Sequence, residues 1–255
     1  MGEIISSLTF QPPLVEYTIK SKSLKLLKTS RGHTIPCIWY DNKAKYTIIF
    51  SHGNAEDFIC IRDWIKSKFL QFVNVNCLIY EYTGYTYIDG VTEGVGPSEE
   101  NVFADVDATY QYAINELKIP SDRIIMFGRS LGSGPSCYIA SKYKIRGVIL
   151  HSPIASIFRV MLNFRFTMPG DKFCNVDRVK QTDCPVFVIH GSRDEIVSID
   201  HARELHRNSK VKYPLYVVKG AQHNNVELFS NKYYEELNKF LNHLDSLEST
   251  PLESQ

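Results

Sequence analysis

The sequence predicts an α/β protein with a mostly parallel central sheet, helices on both faces, and an N-terminal antiparallel hairpin. Three observations predict it. Short apolar runs recur along the chain: "TIIF" (47–50), "CLIY" (77–80), "IIMF" (124–127), "VIL" (148–150), "VFVI" (186–189) and "LYVV" (215–218). Each has strand length and ends in a turn or polar signal. Between them lie segments with helical spacing, "AEDFICIRDWIKSKFLQ", "SEENVFADVDATYQYAINEL" and "SIDHARELHRNS". Strands alternating with helices imply parallel crossovers and a sheet covered on both sides. Finally, 255 residues with 44% hydrophobic and 22% charged residues suffice for one domain with a sizeable core.

The elements follow in order. The N-terminal segment (1–13), "MGEIISSLTFQPP", has no positive n-region and no long apolar stretch, so it does not read as a secretory signal. It matches the myristoylation pattern through Gly2 and Ser6, but the acidic Glu3 directly after the glycine weighs against modification. The domain proper is expected over 14–245. It opens with "LKLLKTSRGHTIPCIWY", two strand-like runs around Arg31-Gly32 that read as the hairpin. The alternating elements follow, and "NNVELFSNKYYEELNKFLNHL" supplies the last helix. The polar tail 246–255 is expected to fray.

Composition excludes several classes of function. A net charge of +1 gives no electrostatic case for nucleic acid, and Lys20, Lys22, Lys25, Lys28 and Arg31 read as a solvated strand face. The cysteines at 37, 60, 77, 137, 174 and 184 form no C-x-x-C and no Cys/His cluster of metal-ligand spacing. Reduced thiols, no metal, no cofactor and a soluble, cytoplasmic protein are the expectation.

The chemistry is carried by "IIMFGRSLGSG" (124–134), where an apolar run ends in a glycine and a serine follows two residues later. The following "SGPSCYIASKY" reads as a helix with Pro135 in its first turn, so Ser130 sits on a tight strand-to-helix corner. Small residues at Gly128 and Gly132 let strand and helix close around it, the G-x-S-x-G nucleophile elbow. The pentapeptide alone is also what a plain Gly-rich turn would show. Two later loops add to it: Asp194 in "GSRDEIV" after one strand and His223 in "AQHNN" after the next. The order Ser130, Asp194, His223 is the one α/β-hydrolases use, and a parallel sheet brings all three to one edge.

Roles follow from chemistry. A serine hydroxyl attacks poorly unless a base takes its proton, a task that falls to His223. Asp194 would hold the imidazole in the right tautomer. The oxyanion would meet the backbone N–H of Leu131 and that of Asn54 or Ala55 in "SHGNAED". His52 in that loop reads as a structural hydrogen-bonding residue. Among rivals, His151 and His190 end strands, His201, His206 and His243 fall on helices, Glu195 would point away from its neighbour Asp194, and Asp200 reads as a helix cap.

Taken together, "IFSHGNAED", "GRSLGSGPS", "ILHSPIAS", "VFVIHGSRDEIVS", "KGAQHNNVEL" and "GPSEENVFADVDATY" resemble the α/β-hydrolase domain-containing protein 17 family over residues 8–242. The resemblance implies the α/β-hydrolase fold and a serine hydrolase that removes palmitoyl groups from protein cysteines through an acyl-enzyme. Its partners would be acylated proteins, with transient membrane contact as an expectation. Two departures stand out. The cysteine cluster that anchors animal members near their N-terminus has no counterpart ahead of Cys37, and the family's compact tyrosine-glycine loop becomes the longer, more acidic "GYTYIDGVTEGVGPSEE", with Asp89 and Glu93.

The stretch "IASIFRVMLNFRFTM" concentrates apolar residues, among them Ile154, Phe158, Met161, Leu162, Phe164 and Phe166. It reads either as a flap receiving an acyl chain or as an amphipathic helix packed on the core. Two other functions stay open: a soluble carboxylesterase or serine peptidase of the same fold, and an inactive hydrolase fold serving as a binding module.

Overall fold

The computed structural model describes residues 9–13, 16–17, 24–56, 58–85, 87–88, 95–162, 167–229 and 232–248. Gly2, Lys20, Lys22, Asp89, Glu93, Phe164 and Phe166 lie outside them. In chain order the strands are β1 (Glu16–Tyr17), β2 (Leu24–Lys28), β3 (Thr34–Tyr40), β4 (Thr47–Ser51), β5 (Asn76–Tyr80), β6 (Tyr87–Ile88), β7 (Ile124–Arg129), β8 (Gly147–His151), β9 (Val186–Gly191) and β10 (Tyr216–Val218). The helices are α1 (Phe58–Trp64), extended by a π-helical turn over Ile65–Phe69, then α2 (Glu99–Asn115), α3 (Ser133–Lys142), α4 (Ile157–Leu162), α5 (Asn175–Arg178), α6 (Ile199–Asn208), α7 (Val226–Phe229) and α8 (Lys232–Glu248).

Eight strands form one sheet in the order β10-β9-β8-β7-β4-β5-β3-β2. The predicted hairpin is β2 and β3, paired antiparallel with Leu27 opposite Ile35, and β3 joins the sheet by pairing antiparallel with β5. The remaining pairs are parallel. The chain passes from β4 outward to β5, then returns to the other side of β4 for β7. The loops leaving β4 and β7 therefore diverge over a crevice at the carboxyl edge, where open α/β sheets build their sites.

Strand alternation divides the core in two. Ile49, Leu78, Met126, Leu150 and Val188 face α2, α3 and α6 through Val106, Ile139 and Leu205. Their neighbours Ile48, Phe50, Ile79, Phe127 and Ile189 face α1 and α8 through Phe58, Phe69, Tyr233 and Phe240. Both faces are apolar because both are covered, which explains the continuous apolar runs. The last helical segment is described as α7 and α8, on either side of residues 230–231, which lie outside the described residues. The helix expected to begin at Ala55 starts at Phe58, because Asn54 and Ala55 form a turn in which Ala55 holds a φ of +55°.

The N-terminal residues strap across this edge. Asn54 Oδ1 accepts from Gln11 N (2.9 Å) and from the Tyr85 hydroxyl (2.6 Å), and its Nδ2 donates to Thr9 O (2.8 Å). Phe10 packs edge-on against Tyr85 and Phe173, and β1 pairs in parallel with β6.

Candidate active site

Ser130 stands at the β7–α3 corner with a φ of +50°, in the left-handed region that side chains avoid. The flanking glycines are required by contact. A Cβ on Gly128 would enter the backbone of Gly132 and Ser133, and one on Gly132 would enter the carbonyls of Ser51 and His52 at the end of β4. Ser133 braces the corner: its hydroxyl donates to Ser130 O (2.6 Å) and accepts from Ile154 N (3.2 Å) and Asn175 Nδ2 (3.1 Å).

Asp194 follows β9 and His223 follows β10, and the parallel sheet brings both to Ser130. His223 Nε2 lies 3.0 Å from Ser130 Oγ, and its Nδ1 lies 2.6 Å from Asp194 Oδ2. The other carboxylate oxygen accepts from the N–H groups of Ile196 (3.0 Å) and Val197 (2.8 Å). Burial alone would raise the Asp194 carboxyl, but hydrogen bonds from His190 and His223, the His223 charge and the Val197 amide hold it well below the usual carboxylate range.

His190 is the residue that sequence reasoning missed. It is fully buried, with Nε2 2.9 Å from Val197 O and 3.2 Å from Asp194 Oδ2. Facing two acceptors, that nitrogen carries the proton and donates to the carboxylate. Its place at the end of an apolar run, four residues before Asp194, was the only signal.

Above the elbow, Leu131 is the second residue of a 3₁₀ turn, whose early N–H groups have no acceptor inside the turn. In the loop after β4, Gly53 donates its N–H to the Glu56 carboxylate, which leaves Asn54 and Ala55 as the candidate donors. A Cβ on Gly53 would stand 3.5 Å from Ser130 Cβ, so this loop adjoins the serine. His52 is buried beneath it, with Nδ1 2.9 Å from Gly53 O and Nε2 2.8 Å from Glu81 Oε1. Burial would lower its pKa, but the Glu81 carboxylate prevails and holds it above the ordinary histidine value.

The rival groups have other partners. His151 meets the Tyr233 hydroxyl (3.2 Å), His201 Nδ1 accepts from Ala155 N (3.0 Å), and His206 Nε2 is 3.0 Å from Tyr213 O. Asp200 is not the cap of α6. Ser198 is, accepting from Asp200 N (3.3 Å), while Asp200 pairs with Arg203.

The four apolar residues expected to receive an acyl chain do not share one surface. Ile154 packs in the core because it immediately follows the short turn leaving β8, and Phe158 is half-buried against the same cluster. Met161 and Leu162 are exposed, at 44% and 53%. Beside His223 a cleft of about 240 Å³ is lined by Glu195, Ile196, Gln222, His223, Asn224 and Asn225. Among the described residues no helix is long and apolar enough to cross a membrane.

The comparisons with known proteins agree with this architecture. No protein-family model matches the chain. Among solved structures, an esterase from Pyrococcus furiosus superposes with a TM-score of 0.71 at 18% identity, over 91% of this chain and 98% of that one. The esterase Est1E from Butyrivibrio proteoclasticus gives 0.63 at 17%, over 88% and 100%. At that identity the likeness establishes the fold. Sequence relatives are nearer. The α/β hydrolase domain-containing protein 17B of Xenopus tropicalis is 36% identical over 223 residues, 85% of this chain and 74% of that protein. The human protein 17C is 35% identical over 220 residues, 85% of this chain and 64% of that protein. With two thirds of a relative covered at more than a third identity, on an α/β-hydrolase sheet, this chain is a hydrolase-fold protein that belongs to the α/β hydrolase domain-containing protein 17 family.

Proposed function

We propose that the protein is a serine hydrolase of acyl thioesters, acting on palmitoyl-cysteine in proteins. The observation that carries the reading is the continuous contact from Ser130 Oγ through His223 to an ionised Asp194, at 3.0 and 2.6 Å. In the first half-reaction Ser130 Oγ attacks the thioester carbonyl carbon as His223 Nε2 takes its proton. The oxyanion forms against the N–H of Leu131 and those of Asn54 or Ala55. The C–S bond then breaks and Nε2 returns the proton to the departing cysteine sulfur. Water, deprotonated by His223, attacks the acyl-serine next; the bond from the acyl carbon to Ser130 Oγ breaks, Nε2 returns the proton to Oγ, and the fatty acid leaves. Asp194 keeps Nδ1 protonated throughout and stabilises the imidazolium.

The acyl chain is read as lying against Met161 and Leu162, which form an exposed apolar edge of α4, while Ile154 and Phe158 pack against the core. The same edge would touch the bilayer as a cytoplasmic enzyme collects its lipidated substrate. The esterases among the structural neighbours favour one second reading, a soluble carboxylesterase. Two measurements on purified protein decide. Fluorophosphonate labelling that is lost in Ser130→Ala is expected, and unchanged labelling would sink the serine assignment. A preference in kcat/KM for a palmitoyl-thioester peptide over a short-chain ester is expected, and the reverse preference would establish the carboxylesterase.

A further inference from the structure

Directly beneath Ser130 lies a cluster of buried charge that the reaction as written does not use. Arg129, the residue before the serine, and Glu227, at the start of α7, are each only 9% exposed. Arg129 Nη1 lies 3.0 Å from Glu56 Oε1 and 3.3 Å from Glu227 Oε1. The other oxygen of Glu56 accepts the Gly53 N–H, and the other oxygen of Glu227 has no hydrogen-bond partner and faces His151 Nε2 at 3.9 Å. Each member therefore belongs to a different wall of the site. Glu56 holds the loop after β4, Arg129 is the root of the elbow, and Glu227 lies four residues beyond His223.

Burying a cation against one buried and one partly exposed carboxylate is an expensive way to stabilise a protein, since apolar side chains of the same volume do as well or better. What a guanidinium supplies is fixed geometry, because its planar fork meets two carboxylates at set distances. We infer that Arg129 is a positioning residue: by bridging Glu56 and Glu227 it sets the loop carrying Asn54 and Ala55, and the loop carrying His223, in register about Ser130. Its effect falls on the assembled geometry for attack, in which a displacement of about 1 Å costs on the order of 10²-fold in rate. Substrate affinity does not depend on it, since none of the three groups lines the exposed apolar edge or the cleft beside His223.

The inference rests on the reading of Ser130 as nucleophile, and the test separates the two. Steady-state hydrolysis of a p-nitrophenyl ester and a palmitoyl-thioester peptide would be measured for the full chain and for Glu56→Gln, Arg129→Met, their double variant and Ser130→Ala. Glu56→Gln leaves a carbonyl to accept the Gly53 N–H and cuts only the link to Arg129. Because Glu56 is the more exposed partner, that variant decides if Arg129→Met fails to fold. The expected result is a fall in kcat of about ten- to a hundredfold in each single variant with KM within twofold, and a double variant no slower than the worse single. A kcat within twofold of the parent in Glu56→Gln, losses confined to KM, or losses that multiply in the double variant would overturn the positioning role. Normal turnover in Ser130→Ala would instead remove the nucleophile assignment on which it stands.

Discussion

Replacing Ser130 by glycine and by alanine isolates the cost of the elbow's backbone. Both variants lose the hydroxyl and its contact with His223, so neither turns over and the lost hydrogen bond cancels between them. They differ in the Cβ, which at a φ of +50° crowds the following carbonyl. Left-handed backbone costs a residue with a side chain roughly 1–2 kcal/mol. Glycine escapes that cost but loses about 0.5–1 kcal/mol more backbone entropy on folding. The difference leaves Ser130→Gly more stable than Ser130→Ala by about 0.5–1 kcal/mol. At roughly 2–4 °C per kcal/mol for a chain of this size, the glycine variant is expected to melt about 1–4 °C higher. Calorimetric scans of the two purified proteins side by side measure it. An alanine variant equal to or more stable than the glycine variant would show that the corner carries no strain.

Three further outcomes are expected. Ser130→Ala and His223→Ala should lose activity to a similar extent and the double variant no more, since they form one proton-transfer unit; multiplying losses in single-turnover assays would refute that. Gly132→Ala should cost about 1–3 kcal/mol and about 10²-fold in kcat, because its Cβ must displace the carbonyls of Ser51 and His52; chemical denaturation and kinetics together check both parts. His201 is pushed down to about 4 by burial, with the nearby His190 and Arg159 charges adding to it. A histidine depressed in the folded state is neutral in both states above its unfolded value near 6.5 and costs stability as pH falls from there toward 4. The loss is about 2 kcal/mol by pH 5. His201→Gln should flatten the fall in stability between pH 7 and pH 5 by about that amount, and an unchanged slope would refute it.

The central strands of the sheet were legible in the sequence because both faces there are covered, which turns them into continuous apolar runs; all six runs, including "VFVI", became strands. The three groups of the candidate site were legible for a related reason. Each follows a parallel strand at a turn, so the topology alone brings Ser130, Asp194 and His223 to one edge. What escaped was whatever depends on three-dimensional neighbours at arbitrary separation. The contact between Arg129, Glu56 and Glu227 spans most of the chain, and neither period nor motif marks it. His190 was discounted as a strand end, although being inside the strand is what aims its ring at Asp194. Ile154 was counted with the apolar flap because composition cannot separate a buried residue from an exposed one beside it. The cap of α6 slipped by two residues because Ser198 and Asp200 both suit that role.

The strap formed by residues 9–11 makes that segment a handle on the sheet edge that carries Ser130. Thr9 and Gln11 are tied through the Asn54 side chain to the loop that faces Ser130, and Tyr85 closes the same knot from the tyrosine-glycine loop. Tension or bulk applied to this segment is thereby transmitted across one asparagine to the loop beside Ser130. A reporter or surface tether that pulls on Thr9 and Gln11 would turn the loop facing Ser130 into a gauge of its own attachment.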